Sequence, residues 1–332
     1  MSPSRSAAPE LGIVIVSYNT RALLAECLAS VATELERQGL RATAASGDQA
    51  WAQVCVVDNA SEDGSAAMVT AEFPWVRLIA LDANVGFTAG NNRALRGWAR
   101  PDGGCPRFVL LLNPDAALTP GSLGRLMATL REHPEAGAAG PALRYPDGRF
   151  QHAAFRFPGI VQTVLDLWPV ARLAESTLNG RYAAARYASS QPFPVDFVLG
   201  ACLTMTGDAL RRVGPLDEGY VMYCEEIDWC KRALDRGLAT LCEPRAVVVH
   251  HGGAASGQRR AAALGHLWRS RLRWFAHHTP RAKAQLLRAI VRAGLWWRQR
   301  AGARAFQRGE ISGDDWAALG AAYRGVFAEE RA

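Results

Sequence analysis

Three carboxylates fall within four consecutive positions of this 332-residue chain, at Glu225, Glu226 and Asp228. Bulky apolar residues surround them in the sequence: Met222, Tyr223, Ile227 and Trp229. A solvated helix face is the simplest account of an acidic cluster, but solvated faces seldom carry this much apolar surface. Because burying an unpartnered carboxylate is costly, the cluster indicates either a bound cation or a group held ready to accept a proton.

Two further acidic residues follow apolar runs that have the pattern of buried strands. Asp58 comes directly after residues 54–57, and Asp115 comes shortly after residues 108–112. Open α/β sheets bind ligands outside the carboxyl ends of their strands, so both side chains are predicted at a ligand-binding edge. A lone carboxylate at such a position can equally serve only as a helix cap, and that alternative stays open for each of them.

A third apolar run, over residues 246–249, ends in His250 and His251. A single His at a strand end is most often satisfied by the backbone alone. Two in succession, opposite predicted carboxylates, favour a metal ligand. The chain contains no CxxC pair, which argues against a structural zinc site.

These residues need a sheet to position them, and its strands are visible as short apolar runs. We predict four strands, each followed by a polar loop: residues 11–17, 54–57, 76–81 and 108–112. Four such units in succession predict a doubly wound α/β sheet of the nucleotide-binding kind. A helix is expected over 21–37, with the polar residues 17–20 able to cap it. The dinucleotide fingerprint and the P-loop are both absent, which argues against nicotinamide enzymes and P-loop NTPases.

The pattern weakens between residues 140 and 194. There we expect an extended segment over 150–158 and a loop with short helical pieces over 160–190. Periodicity returns in a strand-like run over 195–206, and the acidic cluster then leads into a helix that continues through Leu234.

Composition bounds the class of protein. A hydrophobic content of 49% suits one large α/β domain with appendages. The seven Cys are odd in number and scattered through apolar segments, which indicates reduced thiols in a cytosolic protein. No run approaches the length of a membrane span, and no apolar signal segment begins the chain. We therefore expect a cytoplasmic protein that is either free or attached peripherally to the inner face of the plasma membrane.

The C-terminal fifth has a character of its own. The formal charge of +7 arises mainly from Arg, and residues 267–275 and 286–298 mix Trp with Arg at near-helical spacing. Such helices suit an anionic membrane surface, with Trp at the headgroups. A helical pair packed on the main domain or in a homodimer accounts for the same pattern equally well. No RNP-like or OB-type pattern occurs, so we expect no nucleic-acid partner.

Seven short motifs occur in order along residues 11–275: Val16-Ser17-Tyr18-Asn19, Val57-Asp58-Asn59-Ala60-Ser61, Asn84-Val85-Gly86-Phe87, Leu112-Asn113-Pro114-Asp115, Gly200-Ala201-Cys202, Met222-Tyr223-Cys224-Glu225-Glu226-Ile227-Asp228 and His250-His251-Gly252-Gly253. With these motifs the chain resembles the family 2 glycosyltransferases, and among them the bacterial rhamnosyltransferases and related cell-wall or polysaccharide enzymes. The resemblance implies a GT-A fold, a nucleotide-sugar donor, a Mn²⁺ or Mg²⁺ ion and an inverting transfer. It divides the chain into a disordered N-terminus over 1–10, a catalytic domain over 11–255 and a basic, aromatic helical extension over 256–332.

The resemblance also implies roles for individual residues. The nucleotide and sugar of the donor would contact the following residues: Val16, Ser17, Tyr18, Asn19, Asp58, Asn84, Gly86, Asn91, Asn113, Gly200 and Ala201. Asp115 and His250 would hold the metal, with His251 as the competing register. Asn113 stands where the family often has an Asp, which leaves one carboxylate ligand fewer.

The candidate general base is Glu226, although family members usually carry Asp at that position. Its extra methylene must be absorbed by a shift of the helix start or by a differently seated acceptor, so Glu225 and Asp228 remain alternatives. Asp228 can equally anchor its helix, because Arg232 lies four residues later.

By resemblance alone, the favoured donor is dTDP-rhamnose, with UDP- and GDP-sugars as alternatives. The acceptor would be a hydroxyl of a glycan or of a lipid-linked glycan. A processive polysaccharide synthase shares the nucleotide site but carries a QxxRW motif, whereas Gln258 is followed here by Arg-Arg-Ala. A catalytically inactive nucleotide- or glycan-binding protein stays open because of the departure at Glu226.

Overall fold

The computed structural model describes residues 8–42, 50–98, 104–253 and 260–327. Most of the predicted disordered N-terminus, and Gln258, lie outside these ranges. The chain forms two compact units. The first unit consists of Met1–Phe155, Ala183–Glu218 and Glu226–Ala255, and the second of Arg156–Tyr182, Gly219–Glu225 and Ser256–Ala332.

The strands are β1 (Leu11–Ser17), β2 (Ala52–Asp58), β3 (Arg77–Ala80), β4 (Phe108–Leu112), β5 (Ala116–Leu118), β6 (Ala136–Arg144), β7 (Phe150–Gln151), β8 (Ala154–Phe155), β9 (Phe193–Val195), β10 (Phe197–Val198), β11 (Cys202–Thr206) and β12 (Ala239–His250). The helices are α1 (Arg21–Arg37), α2 (Ser65–Glu72), α3 (Phe87–Trp98), α4 (Ser122–Glu132), α5 (Ile160–Leu167), α6 (Ala184–Tyr187), α7 (Gly207–Val213), α8 (Glu225–Leu234), α9 (Arg260–His278), α10 (Arg281–Gln307) and α11 (Gly313–Gly325). Two short 3₁₀ turns, Ala171–Leu173 and Thr177–Asn179, follow α5.

The first unit is built on a mixed sheet with the strand order β3-β2-β1-β4-β11-β6-β12-β5. Strands β3, β2, β1 and β4 are parallel, as in a doubly wound sheet, and β11 joins β4 in the antiparallel sense. Every residue of β1 and of β4 is buried, which is the reason that both strands appear in the sequence as uninterrupted apolar runs. All four predicted strands are confirmed. The apolar run over residues 246–249 also lies in a strand, β12, which is longer than expected because it begins at Ala239.

Carboxylates from elsewhere in the chain accept from N–H groups at the starts of α1 and α4, and at α1 this replaces the expected cap. The N-cap residue of α1, Thr20, makes no side-chain cap, and its hydroxyl lies 2.9 Å from the Ser17 hydroxyl instead. Asp63 Oδ2 accepts from the Arg21 N–H at 2.8 Å. Buried Glu34 accepts from the Gly121 N–H at 2.7 Å, at the start of α4. The prediction that residues 17–20 cap α1 is therefore wrong, because the free N–H is satisfied by a loop 42 residues away.

The second unit is helical in its described parts. Helix α5 packs on α10, where a Cβ built at Gly294 would lie 2.6 Å from side-chain carbons of Leu167. Arg298 of α10 donates to the main-chain carbonyls of Asp166 and Leu167, which α5 leaves without intrahelical donors at its C-terminus. Helix α9 packs on both α10 and α11. No helix in the described ranges is long and apolar enough to cross a bilayer.

The cysteines match their sequence pattern. All seven thiols are free and buried. Burial raises the pKa of Cys55 to about 11 and that of Cys202 to about 12, so these thiols stay protonated near neutral pH. They contribute to the core as small apolar side chains.

Candidate active site

The carboxyl ends of β1 and β2 form the first part of the site. Ser17 and Asp58 stand opposite each other in the parallel register, and the Asn59 N–H donates to the Ser17 carbonyl at 2.8 Å. The Asp58 side chain is buried, and its Oδ2 accepts from the Ser61 N–H at 3.1 Å. Its Oδ1 has no hydrogen-bond partner within the described parts of the chain. One oxygen therefore holds the loop, and the other is free to accept from a ligand.

The segment after β1 is tied to the loop after β2. Asn19 has a left-handed backbone, with φ 51°. Its N–H donates to the Ser61 hydroxyl at 3.0 Å, and its Oδ1 accepts from the Glu62 N–H at 2.8 Å. Asn tolerates this backbone region better than most residues. Asn19 thus holds the two loops together, and Tyr18 lies half-buried beside it.

Asn59, which the sequence reasoning did not single out, organises the loop after β3 that contains residues 84–86. Its Nδ2 donates to Asn84 Oδ1 at 3.0 Å and to the Gly86 carbonyl at 3.2 Å. Its Oδ1 accepts from the Val85 N–H at 2.8 Å. Gly86 takes a φ of 87°, which favours Gly. Asn84 and Gly86 are therefore brought to the same edge as Asp58.

Two residues predicted to contact the donor have structural partners instead. The Asn91 amide is buried within α3 and donates to the Phe87 carbonyl of the same helix at 3.0 Å. The Val16 side chain packs under α3, where a Cβ at Gly90 would lie 2.9 Å from it. The Asn91 side chain thus bonds within its own helix, and the Val16 side chain packs α3 against β1, so Val16 would reach a ligand through its backbone.

Asn113, Gly200, Ala201 and Glu226 converge at the end of β4. The Asn113 N–H donates to the Ala201 carbonyl at 2.9 Å, while its buried Oδ1 has no hydrogen-bond partner in the described segments. A Cβ at Gly200 would lie 3.7 Å from the Cβ, Cγ and Cδ of Glu226. The longer Glu side chain thus runs along a residue that has no side chain of its own.

Helix α8 begins at Glu225, and its entry is strained. The two residues before it, Tyr223 and Cys224, have φ values of 67° and 66°. Left-handed backbone in such residues costs on the order of 1 kcal/mol each. Such strain persists where packing over-determines it, and it clusters at functional sites. Glu225 and Glu226 are both buried at this helix start.

Asp228 is paired with Arg232 and anchors its own helix. Its Oδ2 accepts from Arg232 Nε at 2.7 Å, one helical turn away. The same guanidinium donates to the carbonyls of Val213 and Pro215, at 2.8 and 3.0 Å. The pair fastens α8 to the turn after α7, which agrees with the structural alternative for Asp228.

Asp115 and His250 meet although 135 positions separate them. His250 Nε2 lies 3.4 Å from Asp115 Oδ1, and both side chains are only about 5% exposed. His250 Nδ1 lies 3.1 Å from Gln151 Oε1. An amide oxygen can only accept, so this contact needs a proton on Nδ1, and Nε2 is the ring nitrogen that faces Asp115.

His251, the alternative to His250 as a metal ligand, has different surroundings. His251 donates its main-chain N–H to the Asp115 carbonyl at 3.0 Å, but its half-buried ring points elsewhere, with Nε2 3.8 Å from Glu26. Within the described ranges, no group of three or more His, Cys, Asp or Glu residues could hold a metal ion. A metal ion held by Asp115 and His250 would therefore need further ligands.

Comparison with known proteins shows the family of the chain. The family model described as "Glycosyl transferase family 2" matches residues 12–185. A rhamnosyltransferase of Mycobacterium tuberculosis, named N-acetylglucosaminyl-diphospho-decaprenol L-rhamnosyltransferase, is 30% identical over 298 residues, covering 87% of this chain and 86% of the relative. The chain belongs to glycosyl transferase family 2.

One more distant relative and two solved structures are also similar to this family 2 glycosyltransferase. The low-salt glycan biosynthesis hexosyltransferase Agl10 of Haloferax volcanii is 25% identical, covering 55% of this chain and 53% of the relative. The mannosyltransferase PcManGT from Pyrobaculum calidifontis, solved with GDP-Man and Mn²⁺, superposes with a TM-score of 0.53 and 17% identity, covering 100% of this chain and 89% of that one. GalNAc-T7, solved with UDP, GalNAc and Mn²⁺, gives a TM-score of 0.54 and 13% identity, covering 73% and 43%. The predicted GT-A fold is confirmed.

Three residues outside the predicted set shape the site of this glycosyltransferase. Asn59 holds the loop over residues 84–86, Gln151 orients His250, and Arg232 engages Asp228. Asn59 lay inside a recognised motif, and Arg232 was visible through its four-residue spacing from Asp228. Gln151 carried no signal in the sequence, because β7 is two residues long and lies 99 positions before His250.

Proposed function

We propose that this glycosyltransferase transfers L-rhamnose from dTDP-rhamnose to a hydroxyl of a lipid-linked glycan, with inversion at the sugar carbon. The observation that carries the proposal is the 30% identity, over 87% of the chain, to an enzyme whose name gives its reaction as L-rhamnosyl transfer to N-acetylglucosaminyl-diphospho-decaprenol. The geometry of the first unit supports the same reaction class, because nucleotide, metal and base candidates converge on the carboxyl edge of one sheet.

The nucleoside is assigned to the edge formed by β1, β2 and β4. Asp58 Oδ1 and Asn113 Oδ1 are buried acceptors without protein partners in the described ranges. A buried acceptor that stays unpaired costs free energy, so each favours a ligand that donates an N–H or O–H. A pyrimidine base and its sugar supply both kinds of donor. Ser17, Tyr18 and Asn19 would line the same pocket from the β1 side.

A divalent cation fits between Asp115 and His250. His250 Nε2 and Asp115 Oδ1 face each other in a buried part of the first unit. Two electron-rich atoms at this distance favour a cation between them. Gln151 accepts from the other ring nitrogen, as outer partners of metal-binding His residues do. The mixed N and O ligands favour Mn²⁺ over Mg²⁺. Bound there with the diphosphate, the ion would neutralise charge on the leaving nucleoside diphosphate.

Glu226 is assigned as the general base. A carboxylate that takes the proton of the acceptor hydroxyl must lie beside the donor sugar, and Glu226 lies beside Gly200 next to the end of β4. The Glu226 side chain runs alongside Gly200 at ordinary van der Waals distance, so the longer side chain is accommodated without a close contact there. Asp228 is already paired with Arg232, which leaves Glu225 as the remaining alternative.

The test is release of nucleoside diphosphate from a panel of nucleotide sugars, with and without Mn²⁺ and a GlcNAc-diphospho-lipid acceptor. We expect turnover with dTDP-rhamnose only when both metal and acceptor are present. Glu226→Gln should lower kcat by roughly a hundredfold or more while donor binding is retained, as expected for loss of a general base. Glu225→Gln is the matched control and should retain most of the activity.

Other outcomes would redirect the proposal. Turnover with UDP- or GDP-sugars but not with dTDP-rhamnose would overturn the donor and leave the transferase intact. Equal losses in the two Glu variants would overturn the assignment of the base. Metal-dependent binding of nucleotide sugars without turnover of any of them would indicate an inactive nucleotide-binding protein.

A further inference from the structure

The charge of the chain is concentrated on one part of the second unit. Residues 256–332 contain fifteen Lys and Arg but five Asp and Glu, whereas the net charge of the whole chain is +7. Helix α10 alone carries seven of these basic residues and no acidic residue over its 27 positions. Because α10 carries no acidic residue, its exposed cations such as Arg300 and Arg304 favour an anionic surface.

Exposed apolar side chains accumulate in the same unit. Of the eleven large hydrophobic side chains that stand exposed in the described parts of the chain, nine belong to the second unit. On α10 the exposed members are Leu286 at 50%, Trp296 at 56% and Trp297 at 44%. They lie on the side of the helix away from the buried residues Leu287 and Val291.

Helix α5 extends this surface. The rings of Trp168 and Trp297 lie 6.4 Å apart, and exposed Val164 precedes Trp168 by one helical turn. The Arg300 guanidinium lies 4.0 Å from the centre of the Trp296 ring. We call the surface formed by Val161, Val164, Trp168, Leu286, Trp296 and Trp297 the tryptophan face. It carries aromatic rings and cations side by side, the combination that interfacial helices present to lipid headgroups.

We propose that the tryptophan face and the basic residues of α10 bind the surface of an anionic phospholipid bilayer. The Trp and Val side chains would enter the headgroup region, and exposed cations such as Arg300 and Arg304 would contact lipid phosphates. A second copy of the chain fits this face poorly, because it would bring Arg300 and Arg304 of two chains together with no anion on either copy of α10. The inference rests on the second unit alone and does not depend on the proposed function.

The test is flotation of the purified full-length chain with vesicles of phosphatidylcholine, with or without phosphatidylglycerol. We expect binding to the anionic vesicles only, weakened by added salt. Trp296→Ser with Trp297→Ser, and separately Arg300→Gln with Arg304→Gln, should each reduce partitioning by roughly tenfold or more. Leu234→Ser, and Arg41→Gln with Arg93→Gln, are matched controls at exposed positions of the first unit and should bind normally.

Thermal unfolding of every variant verifies its fold before partitioning is compared. Binding to neutral and anionic vesicles alike, or to neither, would overturn the proposal, as would equal losses in the controls. Light scattering provides the second readout. A dimer that the Trp296→Ser and Trp297→Ser changes convert to a monomer, in a chain that does not bind vesicles, would assign the face to self-association instead.

Discussion

Nε2 of His250 and Oδ1 of Asp115 face each other across 3.4 Å in a buried part of the first unit. Because Gln151 accepts from the opposite ring nitrogen, the contact joins two electron-rich atoms whenever the ring is neutral. Only a proton or a metal ion between them makes the arrangement favourable. This contact therefore distinguishes His250 from His251, the two histidines at the end of β12.

Replacing His250 should remove metal-dependent activity, and replacing His251 should not. We expect His250→Ala and Asp115→Asn each to lower turnover by roughly a hundredfold and to raise the Mn²⁺ concentration required for half-maximal rate. His251→Ala is the matched control and should stay within a few-fold of wild type, because its ring faces Glu26. Nucleoside diphosphate release across a Mn²⁺ titration measures both quantities. A larger loss in His251→Ala than in His250→Ala would reverse the assignment.

Gln151 should act on metal affinity and leave the chemical step unaffected. Losing the acceptor of the Nδ1 proton frees the ring to rotate, so Gln151→Ala should weaken Mn²⁺ by roughly ten- to a hundredfold. At saturating Mn²⁺ its kcat should approach that of wild type. Gln151→Glu keeps an acceptor at the same place and should restore the affinity. A fall in kcat that excess Mn²⁺ does not recover would contradict this role.

The pair of Asp228 and Arg232 should matter for stability more than for catalysis. Removing one partner leaves the other buried and uncompensated, so Asp228→Ala should lower the free energy of unfolding by about 3 kcal/mol. Urea unfolding measures this loss, and adding Arg232→Met to the same chain should recover part of it. Asp228→Asn, assayed at a temperature where it is fully folded, should keep its activity within a few-fold. A hundredfold loss in a stable Asp228→Asn variant would make Asp228 the base.

Glu243 should make stability depend on pH. Burial by itself would raise the pKa of Glu243, but hydrogen bonds from Arg245 and from the Thr129 hydroxyl outweigh it and hold that pKa below its ordinary 4.5. The ionised group therefore stabilises the fold above pH 4.5, and its contribution disappears as the pH falls through the lowered folded-state pKa. The difference in unfolding free energy between wild type and Glu243→Gln should shrink from pH 7 to pH 4.

Urea unfolding at a series of pH values measures this difference, because the other carboxylates titrate in both proteins and cancel. Thr129→Val provides a graded control. Without the Thr129 hydroxyl bond the pKa of Glu243 should lie higher, nearer its ordinary 4.5, so the loss of stability should be smaller and should be complete at a higher pH than in wild type. A difference that stays constant from pH 7 to pH 4 would contradict the predicted role of Glu243.

Much of the fold was visible in the sequence because its signals are local. The apolar runs that became β1, β2 and β4 are continuous because both faces of these strands are buried. Helix α8 begins within the acidic cluster, at Glu225, and ends at Leu234 as predicted. The extended segment and short helices between residues 150 and 190 were also predicted. The cap of α1 was missed because its acceptor, Asp63, lies in a different loop.

The sequence by itself determined the family, the strands that carry Asp58, Asp115 and His250, and the short stretch that contains Glu226. Only the tertiary structure decided which of several neighbouring residues faces the other residues of the candidate site. Successive residues of a strand point to opposite faces, so the pairing of His250 with Ala116 turns His250, and not His251, toward Asp115. Gln151 joins them through the pairing of β7 with β6, a contact that no local pattern encodes. Local propensity is written within a few residues, whereas a site is assembled from side chains that only the packed sheet brings together.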